Sequence, residues 1–274
     1  MNAFPVRRLL IDLASPFERR WNGGDAFRSA FFDALSMSFP AGEQFFIDAV
    51  RAGIKVLPAE RRAGFEPEIQ AFIGQEATHR RIHALFNDQL AHQGHVNRWE
   101  ARIARRRRRL EGADVRHRVA ITAATEHFTA LFAEHLLAQP ALLEGAAPRL
   151  RALWQWHAAE ESEHRSVAFD LYRALDGDER WRRRWMRGVT FFFATDLLRQ
   201  TLRNLWHDGA LFERATWRSA ARTLFGRDGL VRHVRAGRHA YFRPDFHPAQ
   251  AGGERGAQWL RDNAAEFTVL TAVA

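Results

Sequence analysis

The sequence predicts an all-α protein: a four-helix bundle followed by a C-terminal helical extension. Three observations predict it. Apolar residues recur in steps of three and four along four long segments, the period of a helix with one buried face. Two Glu-x-x-His pairs, Glu76/His79 and Glu161/His164, fall on two of those segments, where the spacing puts a carboxylate and an imidazole on one face about a turn apart. The glutamates are also regularly spaced, with 33 residues from Glu43 to Glu76, 35 from Glu126 to Glu161 and 50 between the halves. Two similar helix pairs joined by a longer crossover would generate that pattern.

Residues 1–24 read as an N-terminal arm closed by the turn signal Asn22-Gly23-Gly24. A helix is predicted over 25–39 from Phe27, Ala30, Phe31, Ala34 and Leu35. Pro40 either kinks it or starts a new helix over about 40–56, which Pro58 ends. Glu43 lies on or beside the apolar stripe of Phe46, Ile47, Val50 and Ile54, where a bare carboxylate is unfavourable. The alternative is a first-turn Glu complementing the helix dipole. The second helix, about 66–92, shows Ile69, Phe72, Glu76, His79, His83, Phe86 and Leu90 on one face, apolar at both ends and titratable in the middle.

Residues 94–114 contain five consecutive arginines, Arg105–Arg109, read as a solvated helix face or crossover, with anion binding as the sharper alternative. The third helix, 115–138, carries Glu126 as the single charge on a face of small and apolar residues. Small side chains there leave space beside a metal or permit close helix packing. His127 falls off that face. The fourth helix, about 149–175, brackets His157, Glu161 and His164 with Leu150, Leu153, Trp154, Ala168 and Leu171, and puts Glu160 and Glu163 on the solvated side.

These boundaries divide the chain into 1–178, the arm plus a dinuclear-metal bundle, and 179–274, an extension packing on it. Trp181–Trp206 mixes arginines with Trp and Phe, fitting packing across the bundle, a lid or homodimer contact, or peripheral contact with a membrane. The loop YFRPDFHP, Tyr241–Pro248, precedes a short helix with Trp259 and Leu260, and His247 in it has no evident partner.

Composition narrows the chemistry. The chain has 274 residues, no cysteine and a net charge of +9. Cys-ligated zinc, iron–sulfur clusters and cysteine nucleophiles are excluded, leaving His, Asp and Glu for any metal. The positive charge is almost all arginine, and with no recognisable nucleic-acid module the sequence predicts no nucleic-acid partner. Gly188–Leu198 is too short and too interrupted by Asp196 to span a bilayer, and the N-terminus lacks a signal-peptide pattern, so the expected location is cytoplasmic.

Four Glu and two His, namely Glu43, Glu76, His79, Glu126, Glu161 and His164, would give each of two divalent ions one imidazole and share four negative charges between them. Oxygen-rich ligation favours iron, allows manganese or a mixed iron–manganese pair, and suits zinc less well. His83 and His157, one turn from the ligands, are assigned to orienting them or moving protons, with direct ligation by His83 as the alternative. Tyr172 lies 8 residues past His164, about 12 Å along a helix, which counts against a tyrosyl-radical subunit.

FPAGEQFF around Glu43, FIGQEATHRRIH around Glu76, ATEHFTALFAEHLL around Glu126 and WHAAEESEHRSVAFD around Glu161 resemble the bacterial family catalogued as predicted metal-dependent hydrolases, over roughly residues 25–250. The order Glu, Glu-x-x-His, Glu, Glu-x-x-His is similar to the ferritin-like di-iron superfamily, which implies iron and O₂ chemistry. Three functions are therefore expected. The first is O₂ activation against a largely apolar small molecule, with an electron donor if the reaction is an oxygenation. The second is hydrolysis by a metal-bound hydroxide. The third, the weakest for a basic chain, is non-enzymatic iron storage or detoxification.

Overall fold

The computed structural model describes residues 4–250 and 252–270, and it is an all-α helical bundle. The four helices that carry the predicted site residues are α1 (Ala26–Val56), α2 (Ala59–His92), α4 (Val115–Ala138) and α5 (Pro148–His164), with α3 (Trp99–Arg108) in the connection between α2 and α4. The chain continues through α6 (Val167–Ala174), α7 (Glu179–His207), α8 (Arg214–Phe225), α9 (Leu230–Ala240) and α10 (Glu254–Asp262). Two three-residue strands, β1 (Arg7–Leu9) and β2 (Phe267–Val269), pair antiparallel and tie the N-terminal arm to the end of the chain.

α1 is one helix, started by Asp25, whose carboxylate accepts from the Arg28 N–H. Pro40 lies inside it rather than starting a second helix. Proline has no N–H for the carbonyl four residues back, and here the Asn87 side-chain amide of α2 donates to the Ser36 carbonyl at 3.0 Å instead. α2 begins seven residues before its expected start and absorbs Pro67. Ala63, whose carbonyl that proline frees, is exposed, so water can satisfy it. The predicted fourth helix is divided at Arg165–Ser166 into α5 and α6. In the last turn of α5 the Ser162 hydroxyl donates to the Ala159 carbonyl at 2.6 Å, competing with the helix ladder.

The core has two apolar clusters. One gathers Trp21, Phe32, Met37, Phe86, Leu150 and Trp154, and the other Phe46, Val50, Phe72, Val119, Leu171 and Tyr241. Going up in residue number, α1 and α5–α6 run from the first cluster to the second, whereas α2 and α4 run from the second to the first. α1 and α5 are therefore parallel to each other and antiparallel to α2 and α4. Because α2 and α4 run the same way, the segment containing α3 must cross the length of the bundle. On α1, α2 and α5 the residues Glu43, Glu76, His79, Glu161 and His164 fall in the band where one cluster gives way to the other, and on α4 Glu126 lies at the near edge of the second cluster, just before Phe128.

The extension packs on this frame. α7 lies against α1 and α4, α8 against α1, α9 against α4, and α10 against α4 and α5. α7 buries Met186, Val189, Leu197 and Leu205 but also Arg182, Asp196, Gln200 and Asn204. Asp196 receives Arg102 of α3 at 2.6 Å and also pairs with Arg106. The arginine run lies in the crossover, one of its two expected readings, and it is not simply a solvated face: Arg106 is consumed by a buried carboxylate, and Arg107 pairs with Asp48 of α1 at 2.7 Å. Phe191, Phe192, Leu198 and Trp206 remain exposed on α7. No helix among the described residues is long and apolar enough to cross a membrane.

Candidate metal centre

Glu43 from α1, Glu76 and His79 from α2, Glu126 from α4, and Glu161 and His164 from α5 converge, and none exceeds 3 % exposure. One ligand atom from each of Glu76, His79, Glu161 and His164 lies within 4.8 Å of the others, and the same holds for Glu43, His79 and His157. His164 Nε2 faces Glu76 Oε1 at 3.6 Å, and His79 Nδ1 faces Glu161 Oε1 at 3.8 Å.

Hydrogen bonding separates these residues into two sets. Each of the six keeps at least one buried atom without a hydrogen-bond partner: both carboxylate oxygens of Glu43 and of Glu76, one oxygen each of Glu126 and Glu161, Nδ1 of His79 and Nε2 of His164. A buried polar atom left unsatisfied costs about 1–3 kcal/mol, and the eight on these neighbouring residues mark a place where an ion would find its ligands. Glu126 stands outside both ligand groups and meets the cluster through His164. His83 and His157 differ. His83 Nδ1 shares a hydrogen bond with the Ser36 hydroxyl at 2.9 Å, and its Nε2 meets His157 Nδ1 at 2.6 Å. His157 Nε2 in turn meets Glu161 Oε1 at 2.8 Å, making a relay from α1 through α2 to a carboxylate of the centre. His157 Nε2 is also 3.9 Å from Glu43, close enough to ligate if it released Glu161.

Each imidazole of the Glu-x-x-His pairs is held from behind. His164 Nδ1 bonds Glu126 Oε2 at 2.9 Å. His79 Nε2 bonds Glu160 Oε2 at 2.9 Å, leaving Nδ1 for the centre. Glu160, expected on the solvated side, is wholly buried. The reason is the arm: Arg7 of β1 reaches Glu160 at 3.1 Å and Glu163 at 2.6 Å, supplying the charge that helical periodicity on α5 could not reveal. Glu163, also expected to be solvated, is only 21 % exposed at its side chain, and Gln75 donates to it at 2.9 Å. The arm can approach because residue 74 is glycine, where a Cβ would meet Val6 Cγ2 at 2.4 Å.

Electrostatics follow from crowding acids in a dry site. Burial, then the neighbouring carboxylates, hold Glu43 and Glu76 well above the ordinary 4.5. Burial pushes Glu160 up to about 8 against the opposing pull of Arg7. His79 is held well below 6.5 by burial and the imidazoles around it. Burial would lower His164 too, but Glu126 and Glu161 outweigh it and bring it to about 9.

Two cavities adjoin the centre. One of about 290 Å³ reaches Glu43 and is walled by Phe45, Phe46, Ile121, Thr125 and Val189. The other, about 60 Å³, touches His157 and Glu161. Phe39, Thr129 and Phe193 line both. The small residues of α4 thus serve both expected ends: Thr125 and Thr129 border open space, and Ala120 and Ala123 pack in the core.

Other residues are structural. His127, off the α4 face as expected, bonds the Gly237 carbonyl at 3.0 Å. His247 has the partner the sequence did not supply, Asp170 at 2.7 Å. Tyr172 donates to the Asp178 carbonyl at 2.7 Å.

In comparison with known proteins, a family model described as "Predicted metal-dependent hydrolase" matches residues 5–252. No curated protein and no solved structure matches the chain.

Proposed function

The chain belongs to the family of predicted metal-dependent hydrolases, and from that premise we propose a dinuclear metal hydrolase acting on a largely apolar small molecule. The observation that carries this is the set of eight unsatisfied buried atoms on Glu43, Glu76, His79, Glu126, Glu161 and His164. Hard oxygen donors with two imidazoles and no thiolate fit a pair of divalent ions. When bound, such ions supply Lewis acidity and make a water molecule acidic enough to act as a nucleophile near neutral pH. The chain's own groups do the rest. Glu160 fixes the orientation of His79, Glu126 that of His164, and His157 with His83 offers a path for a proton from Glu161 to the Ser36 hydroxyl.

A second reading, O₂ activation on a di-iron centre, is favoured by one observation. The up-down-down-up order of α1, α2, α4 and α5 with a crossover through α3 is that of ferritin-like carboxylate proteins, and that reading makes iron the preferred metal and requires an electron donor. One experiment separates the two. Metal analysis should give two ions per chain. Ester or phosphoester turnover equal in air and under nitrogen supports hydrolysis. Two irons per chain, with near-ultraviolet absorption appearing when the ferrous protein meets air and no hydrolytic turnover, replaces it with the oxidative reading. A chain that takes up no metal sinks both.

A further inference from the structure

The larger cavity has chemically different ends. Its walls are Phe45, Phe46, Ile121 and Val189, and its one acid is Glu43, which is 1 % exposed. At the surface it is bordered by Arg106, Arg107 and Arg109 of the five-arginine run, together with Phe192, which is 41 % exposed. Arg106 lies over the Phe192 ring at 4.5 Å while paired to Asp196, and Arg107 is paired to Asp48, so both are held in place. Arg109, at the end of α3, is exposed, and no ion pair engages it among the described residues. A run of arginines that serves only as a solvated face has no reason to ring an apolar opening.

We propose that this cavity takes an anionic amphiphile, a medium-chain carboxylate or its close equivalent, with the chain inside and the anionic head at Arg109. The apolar wall supplies affinity through burial, and the guanidinium supplies a fork matched to a carboxylate. A volume of about 290 Å³ falls just below the roughly 300–1,000 Å³ of small-molecule sites, which selects a single chain over a two-chain lipid. The far end of the chain would then lie beside Glu43. The proposal rests on the metal-centre reading and deepens it by naming the shape and charge of the substrate. For hydrolysis the end beside Glu43 carries the scissile ester or amide, decanoate stands in for the anionic, apolar remainder, and binding is measured without turnover or metal.

The test uses full-length protein and titrates decanoate, decanol and decyltrimethylammonium below their micellar concentrations, followed by fluorescence of Trp99 and Trp185, which line the cavity. Decanoate should bind at least tenfold more tightly than either other probe. Arg109→Glu should remove that preference while leaving decanol binding within about twofold. Gly188→Leu tests the interior. Gly188 lines the cavity, and the nearest atom to an added Cβ is Trp185 Cε3 at 3.8 Å, so the larger side chain fits the helix and fills the space. It should weaken decanoate and decanol alike by tenfold or more. Equal binding of all three probes, or wild-type affinity in Gly188→Leu, overturns the proposal. So does binding to phosphatidylglycerol vesicles without binding of monomeric decanoate, since that places the anion site on a bilayer surface. Loss of metal in Glu76→Ala, with decanoate binding intact, would leave the two conclusions independent.

Discussion

Glu160 and Glu161 are adjacent and do different work: Glu161 lends an oxygen to the centre, and Glu160 faces away and grips His79 from behind. Replacing Glu76 or Glu161 by alanine should remove most of the bound metal, read by elemental analysis. Glu163→Ala should leave it near two ions per chain, because Glu163 touches Arg7 and Gln75 and none of the six convergent residues. Glu160→Ala should leave metal bound but weaken it about 10- to 100-fold, the usual cost of losing a partner behind a ligating His. The pH response follows from the same crowding. Glu160, lifted from 4.5 to about 8, holds a proton that the unfolded chain has already lost, so its contribution to metal-free stability falls across that range. His164, lifted from 6.5 to about 9, stabilises below 6.5 and loses that effect through 9. His79 and His83, kept low by burial, act in the opposite sense only below 6.5. The melting temperature of the metal-free protein should therefore drop between about pH 6.5 and 9. A flat or rising profile would contradict the arrangement.

Helical periodicity made much of this readable in advance. Glu43, Glu76, Glu126 and Glu161 stand among buried apolar positions at the right spacing, and such placement of a carboxylate has few physical explanations. α4 runs over the expected 115–138 because its ends carry ordinary signals, Asp114 at the start and Pro140 just past the finish. Legibility failed where the cause lay on another element. Pro40 looked like a boundary because the amide that satisfies Ser36 belongs to Asn87. Asn87→Ala leaves that carbonyl buried and unpaired and should destabilise the fold by about 1–3 kcal/mol in a denaturant titration. It should also loosen Ser36, which supports His83. Asp196 read as an interruption of an apolar stretch, but it is the anchor joining α7 to α3. Asp196→Ala would strand Arg102 and Arg106 and should be among the more destabilising changes outside the centre.

The distribution of polarity across the bundle explains why the centre can exist. Two apolar clusters close the ends of the four central helices and leave one narrow band between them dry enough to raise carboxylate pKa values and open enough to adjoin two cavities. The N-terminal arm completes that band through Arg7, and β1 is itself held by β2 from the far end of the chain, with Arg7 opposite Val269. The family match stops at residue 252, so the strand steadying Arg7 comes from outside the shared region. Removing residues 264–274, whose described part, 264–270, bonds none of the acids or imidazoles of the centre, should nonetheless loosen the hold on His79 and show as weaker metal retention under dialysis. Protein engineers would meet the same coupling as a practical matter: a change in either strand of this seam reaches, through Arg7 and Glu160, a histidine of the candidate centre.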